Sequence, residues 1–129
     1  MIKYIIRVDL NVILFSLIGT VATKELVEKV QFLKIRDKIN VGTNIVIDTR
    51  EQINVFTRDE VLKIFFEMVG ADKNPLIKKT AILTVSKEEF GTGRLYSAYK
   101  NKTKVEVVVF TDLKNASQWL EIPKDKTFF

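Results

Sequence analysis

The chain has 129 residues and contains no cysteine and no histidine. This length fits one domain, and 47% hydrophobic with 29% charged residues is typical of a folded globular protein rather than a disordered chain. Without thiols or imidazoles the chain lacks the side chains for disulfides, for Cys or His zinc sites and for Cys-His or Ser-His-Asp catalysis. We therefore expect a protein that is not an enzyme and that has no metal site and no cofactor.

The net charge of +5 is unevenly distributed along the chain. Residues 73–104 carry eight lysines and arginines against two glutamates. A local excess of positive charge attracts acidic polymers, acidic lipids or acidic proteins, although a solvated lysine face is the alternative. The lysines of this region are not interleaved with aromatic residues in an exposed-looking pattern, as a single-strand nucleic-acid surface requires, which argues against nucleic acid as a partner.

The first 22 residues resemble a secretory signal in having a charged residue, Lys3, before an apolar stretch. Polar residues interrupt this stretch, and its longest uninterrupted run is too short to span a bilayer. We therefore predict a hairpin and no membrane span. The hairpin has a strand over Ile2–Val8, a turn over Asp9–Asn11 and a second strand over Val12–Ile18. The absence of cysteine fits a cytoplasmic location.

The rest of the chain alternates between helical and strand patterns. Helices are predicted to begin with capping residues at Thr23, Thr57, Ser86 and Asp112 and to end near Asp37, Val69, Tyr99 and Leu120. Strands are predicted over Asn44–Asp48, Lys79–Val85 and Lys104–Phe110. The order ββαβαβαβα requires an α/β fold with a mostly parallel sheet and an antiparallel first strand. One domain is expected over 1–121, followed by a C-terminal tail at 122–129.

The helix predicted over Thr57–Val69 is apolar almost all round. Such a helix must be covered on more than one side, and one sheet face covers only one of them. The C-terminal tail, a second subunit or an apolar ligand would cover the other. We expect a homodimer, and a pocket for a small apolar or lipid-like ligand beside this helix is the alternative. The candidate interface residues are Leu62, Phe65, Phe66 and Val69.

Two further segments are candidate ligand or anion sites. Asp48 ends a predicted strand, where parallel sheets place functional groups, and Arg50 is close enough to pair with it. Alternatively, Asp48 ends the strand by accepting hydrogen bonds from turn amides. The segment Gly91–Gly93 lacks the endings of a P-loop or a dinucleotide fingerprint. It either allows close packing of a helix or forms a shallow anion site with Lys87 and Arg94.

Several of these segments together resemble a known group of proteins. They are the opening hairpin with Gly19 and Thr23 after it, the strand ending at Asp48, and the segments Phe90–Tyr96, Val109–Asp112, Ala116 and Trp119–Leu120. This set is similar to the SpoIIAA-like, STAS-related group of small bacterial proteins over roughly residues 1–121. The resemblance implies a right-handed βα superhelix, with parallel strands side by side and most helices on one face.

The best-understood proteins of that group are anti-sigma-factor antagonists, which are phosphorylation-controlled binding partners and not enzymes. In them an Asp-Ser-Ser-Gly segment starts the second helix and supplies the phosphorylated serine, whereas residues 55–59 here contain neither serine nor glycine. The resemblance therefore leaves Thr57 as the phosphorylation-switch candidate. A phosphate there would meet a helix N-terminus and Arg58 but would be repelled by Asp59 and Glu60. Alternatively, Thr57 only caps the helix. The implied function is protein association with an unknown partner.

Overall fold

The computed structural model describes residues 1–54, 56, 57, 59–61, 63, 64, 76–85, 106–124 and 126. The strands within these ranges are β1 (Ile2–Arg7), β2 (Val12–Gly19), β3 (Thr43–Gln52), β4 (Ile77–Leu83) and β5 (Glu106–Phe110). A 3-10 turn over Val8–Leu10 joins the first two strands, and the helices are α1 (Thr23–Ile35) and α2 (Leu113–Trp119). Residues 59–61, 63 and 64 are also helical.

The five strands form one sheet in the order β1-β2-β3-β4-β5. The first strand runs antiparallel to β2, and the other neighbouring pairs are parallel. The predicted α/β fold with an antiparallel first strand is therefore confirmed. Because the parallel strands follow one another side by side, the chain must cross over the sheet between each pair, and right-handed crossovers return on the same face each time.

The sheet is covered on both faces, which creates two cores. The first core lies between one face and α1, together with the helical residues Val61 and Ile64. The second core lies between the opposite face and α2, with Leu120 and Ile122. Because α2 follows the last strand rather than connecting two strands, the crossover rule does not restrict its face. The described helices thus divide as the resemblance implied, with α2 alone on the second face.

The third strand is longer than its sequence pattern predicts. We expected it to end at Asp48, but it continues to Gln52. An irregularity makes this possible, because β3 pairs Asp48 with Ser16 and then Glu51 with Ile18, which leaves one extra residue on β3. Asp48 therefore lies inside a strand and does not end it. The fourth strand is also shifted from its prediction and ends at Leu83.

The start of α1 is fixed by a distant side chain rather than by the predicted cap. Thr23 is the first helical residue and not the N-cap, since Ala22 occupies that position without a side-chain hydrogen bond. The side-chain amide of Asn54 instead holds Val21, the residue before this N-cap. The Val21 N–H donates to Asn54 Oδ1, and Asn54 Nδ2 donates to the Val21 carbonyl, both at 2.7 Å. This reciprocal pair imitates the hydrogen bonds of a neighbouring strand.

Both α-helices end in the same hydrogen-bonded turn, a Schellman motif. After α1, the Lys38 N–H donates to the Leu33 carbonyl at 2.9 Å, and after α2 the Ile122 N–H donates to the Ser117 carbonyl at 3.0 Å. The motif needs one residue in the left-handed region, where glycine is favoured. Here those residues are Asp37, with φ 58°, and Glu121, with φ 60°.

Glycine at these two positions should stabilise the fold. A side chain at left-handed φ costs about 1–2 kcal/mol, and the larger freedom of glycine in the unfolded chain offsets about 0.4–1 kcal/mol of that gain. We therefore expect Glu121→Gly and Asp37→Gly each to raise the free energy of unfolding by about 0.5–1 kcal/mol in urea denaturation. The controls Glu121→Ala and Asp37→Ala keep a Cβ atom and should show no such gain. Equal effects of Ala and Gly would show that left-handed φ costs nothing at these positions.

One hydroxyl in the first core has no hydrogen-bond partner among the described residues. Thr80 is fully buried on β4, beside Ile45 of β3 and Val107 of β5, and its Oγ1 is unsatisfied. By contrast, Thr49 Oγ1 on β3 donates to the Leu83 carbonyl at 3.0 Å. Folding removes both hydroxyl groups from water, but only that of Thr49 gains a hydrogen bond to another described residue in exchange.

Replacing the hydroxyl by a methyl group should have opposite effects at the two positions. A buried polar group without a partner costs about 1–3 kcal/mol, so Thr80→Val should raise the free energy of unfolding by about 1 kcal/mol. Thr49→Val removes a hydrogen bond and leaves the Leu83 carbonyl without it, so it should lower that free energy by about 1 kcal/mol. Urea denaturation measures both, and a loss of stability in Thr80→Val would show that its hydroxyl is satisfied.

Candidate functional site

Thr57 and Glu60 form the predicted capping box at the start of the helix that contains Val61 and Ile64. The Thr57 N–H donates to Glu60 Oε1 at 3.0 Å, and the Glu60 N–H donates to Thr57 Oγ1 at 3.1 Å. Each side chain thus satisfies a backbone amide of the other residue at the helix end. The capping role of Thr57 is confirmed, and its hydroxyl oxygen faces the amide end of a helix.

Asp48 and Arg50 pair with each other on β3, as their spacing predicted. Arg50 donates from Nε to Asp48 Oδ1 at 3.0 Å and from Nη2 to Oδ2 at 2.9 Å, and the Arg50 N–H also donates to Oδ1 at 3.0 Å. These hydrogen bonds raise the pKa of the Arg50 guanidinium above its ordinary value. The carboxylate side chain is only 13% exposed. It is therefore held by its own neighbour and presents little surface to a ligand.

The described residues do not form a metal site or a membrane-spanning helix. Nowhere in these ranges do three Asp or Glu residues gather closely enough to hold a metal ion. No helix in the same ranges is long and apolar enough to cross a membrane.

A groove beside α2 is one concave feature within the described residues. Its volume is about 400 Å³, which is within the range of ligand pockets. The groove, which we call the α2 groove, is lined by Leu113, Lys114, Ser117, Gln118, Ile122, Pro123, Lys124 and Lys126. Sequence analysis missed it. The signal that was available is the clustering of Lys124 and Lys126 after Pro123, beside a helix with a lysine in its first turn.

Lys126 of the α2 groove is close enough to the turn between β1 and β2 for its charge to act on Asp9. Arg7 and Asp9 pair there, with Nη2 and Oδ2 at 3.0 Å. Hydrogen bonds from Arg7 lower the pKa of the Asp9 carboxyl, and the positive charge of Lys126 lowers it further by a smaller amount. Asp9 is therefore already bonded to an arginine.

A small void lies beside the described helical residues 59–61, 63 and 64. It has a volume of about 20 Å³ and lies between this helix, α1 and the sheet, lined among others by Leu26, Phe56 and Ile82. This volume is about that of one water molecule. The apolar ligand that was the alternative to a dimer stays a prediction, because most of the helix predicted over 57–69 lies outside the described residues.

The remaining sequence candidates lie outside the described residues. They are the interface residues Leu62, Phe65, Phe66 and Val69, the anion-site residues Lys87 and Arg94, and most of the basic region 73–104. Their roles stay predictions.

The capping box at Thr57 predicts a specific pattern of stability changes. Thr57→Ala removes the acceptor for the Glu60 N–H and should lower the free energy of unfolding by about 1 kcal/mol, whereas Thr57→Ser keeps the acceptor and should retain most of the stability. Chemical denaturation followed by circular dichroism measures both variants. If alanine and serine destabilise the protein equally, the threonine methyl group rather than the hydroxyl is what matters.

Comparison with known proteins concerns the fold. No family model matches the chain, and no curated protein matches it either. Among solved structures, the chain is similar to an uncharacterised protein of the DUF3478 family with a SpoIIAA-like fold from Shewanella loihica PV-4. The TM-score is 0.57 at 18% sequence identity, and the match covers 93% of this chain and 92% of that one. The architecture implied by the sequence resemblance is therefore confirmed, and the chain has a SpoIIAA-like fold.

Proposed function

We propose that this chain is a non-enzymatic protein-interaction domain and that its first partner is a second copy of itself. The observation that carries the proposal is that three large apolar side chains are exposed in the segments that lead into β2 and β3. They are Val8 at 86% exposure, Val41 at 83% and Ile35 at 82%. We call this group the amino-edge patch, because it lies where the parallel strands begin.

Hydrogen bonds join two of the segments that carry the amino-edge patch. The Asn11 side chain donates to the Gly42 carbonyl at 2.7 Å, and the Asn44 N–H donates to the Asn11 carbonyl at 3.0 Å. These bonds join the turn that carries Val8 to the loop that carries Val41. A preorganised apolar surface loses little conformational freedom on binding, which favours association.

We expect the partner that covers this patch to be a second copy of the chain. Two copies related by a twofold axis bring the same residues together, so the apolar side chains of one copy would cover those of the other. This homodimer agrees with the expectation from the sequence, although it uses a different surface from the helix predicted over 57–69. The cytoplasmic location also stays a prediction from the sequence.

The polar side chains of the candidate site and of the predicted helix caps support a non-enzymatic role. Asp48 is bonded to Arg50, Thr57 to the Glu60 amide, and Asp112 to the amide of Asn115 at 2.7 Å. Each group therefore contributes to local structure, which is what short polar side chains at turns and helix ends commonly do.

Light scattering coupled to size-exclusion chromatography tests the proposal. We expect the mass of a dimer for the wild type, and at least a tenfold weaker dimer for the double variant Val8→Asp with Val41→Asp, because dimerisation would bury its carboxylates. The matched control is Ile53→Asp with Val85→Asp, which changes two exposed apolar residues outside the patch. It should leave the dimer intact.

Two results would overturn the proposal in different ways. A wild-type protein that stays monomeric at all concentrations and captures no protein partner contradicts the function itself. A dimer that survives in the Val8 and Val41 variant but dissociates in Phe66→Ser contradicts the amino-edge patch and assigns the interface to the helix predicted from the sequence.

A further inference from the structure

The α2 groove combines an apolar floor with a cationic rim. Leu113, Ile122 and Pro123 supply the apolar surface, and Ile122 is anchored because it also packs in the second core. The rim consists of the lysines Lys114, Lys124 and Lys126, all of which are exposed. Such a surface attracts a ligand that carries negative charge and apolar groups side by side.

No carboxylate is among the described lining residues of the groove, and the carboxylates of Asp112 and Asp9 have partners of their own. Asp112, at the start of α2, accepts from the Asn115 amide and from its side chain at 2.7 and 2.8 Å. Asp9 is paired with Arg7. Glu121 follows the helix but does not line the groove. Among the described lining residues, every charged one is therefore positive.

The rim lysines come from two separate parts of the chain. Lys114 lies in the first turn of α2, whereas Lys124 and Lys126 lie on the segment after the helix. A ligand with one anionic head would meet only part of this rim. A chain that carries several carboxylates, with apolar side chains between them, would engage lysines on both walls and place its apolar groups on the floor.

We propose that the α2 groove binds an acidic peptide segment, rich in alternating carboxylate and apolar side chains, of a partner protein. This inference rests on the proposed role in protein association and names the chemistry of one partner. The long lysine stems add to the floor while their charged ends stay in water. The groove and the amino-edge patch have no residue in common.

Fluorescence anisotropy with a defined peptide tests the groove. The labelled probe is an eight-residue peptide of alternating glutamate and leucine, and we expect saturable binding to the wild type that weakens as salt is added. The triple variant Lys114→Glu, Lys124→Glu and Lys126→Glu should bind at least tenfold more weakly. Its matched control, Lys24→Glu, Lys38→Glu and Lys63→Glu, has the same net charge and changes exposed lysines outside the groove. It should bind within about threefold of the wild type.

Further variants separate a specific effect of the groove from misfolding and from overall charge. The milder triple variant Lys114→Gln, Lys124→Gln and Lys126→Gln removes the positive charges without adding negative ones, so it perturbs the fold less and should also weaken binding. Circular dichroism of each variant shows whether it is folded. Leu113→Ser should also weaken binding, since it removes apolar surface from the floor. Equal losses in the two glutamate triple variants would mean that overall charge controls binding and would overturn the proposal.

Competing ligands provide a second way for the proposal to fail. Tighter binding of an eight-nucleotide RNA or of laurate than of the peptide, lost in the groove variant, would assign the groove to another class of ligand. Absence of peptide binding to a wild type that light scattering shows to be dimeric would overturn the groove proposal and leave the proposed association intact. A protein that neither binds the peptide nor associates with any protein would overturn both.

Discussion

The structure depends on the burial of the central strands from both sides. Residues 12–15 of β2 are consecutive and all buried, although their side chains alternate between the two faces of the sheet. Neither face can be left in water, because a buried aliphatic or aromatic side chain contributes about 1.5–3 kcal/mol relative to an exposed one. The chain therefore needs a helical layer on each face. Among the described residues, α1 with Val61 and Ile64 contributes to the first layer, and α2 contributes to the second.

This constraint explains why the architecture was predictable from the sequence. Apolar runs in β2, β3 and β4 indicate strands buried on both faces, and the helical patterns between them indicate crossovers. The capping residues Thr57 and Asp112 were also recognisable, because their partners lie only three residues away. Features that rest on local spacing or on the order of elements could thus be predicted without coordinates.

Other features depend on contacts that local patterns do not contain. The extra residue in β3 follows from its pairing with β2, so Asp48 looked like the end of a strand when only its own segment was considered. The left-handed residues after the helices are Asp37 and Glu121 rather than glycine, which removed the usual signal for a helix end. The α2 groove likewise needs the fold to bring Lys114 beside Lys124. Of the candidate site, the Asp48–Arg50 pair and the capping box were predictable, and the concave surface was not.

The reciprocal pair of hydrogen bonds between Asn54 and Val21 has a consequence for how the chain folds. It joins Val21, which precedes the N-cap of α1, to Asn54, which lies two residues beyond β3 and 33 positions from Val21 in the sequence. The first turn of α1 is therefore anchored only after β3 has formed and lies beside β2, so a local element acquires its boundary from a non-local contact. Contacts of such separation slow folding because loop closure precedes their formation. In the folded state they make the two segments open together, so the amide of Val21 should exchange with solvent as part of the sheet rather than with a fraying helix end.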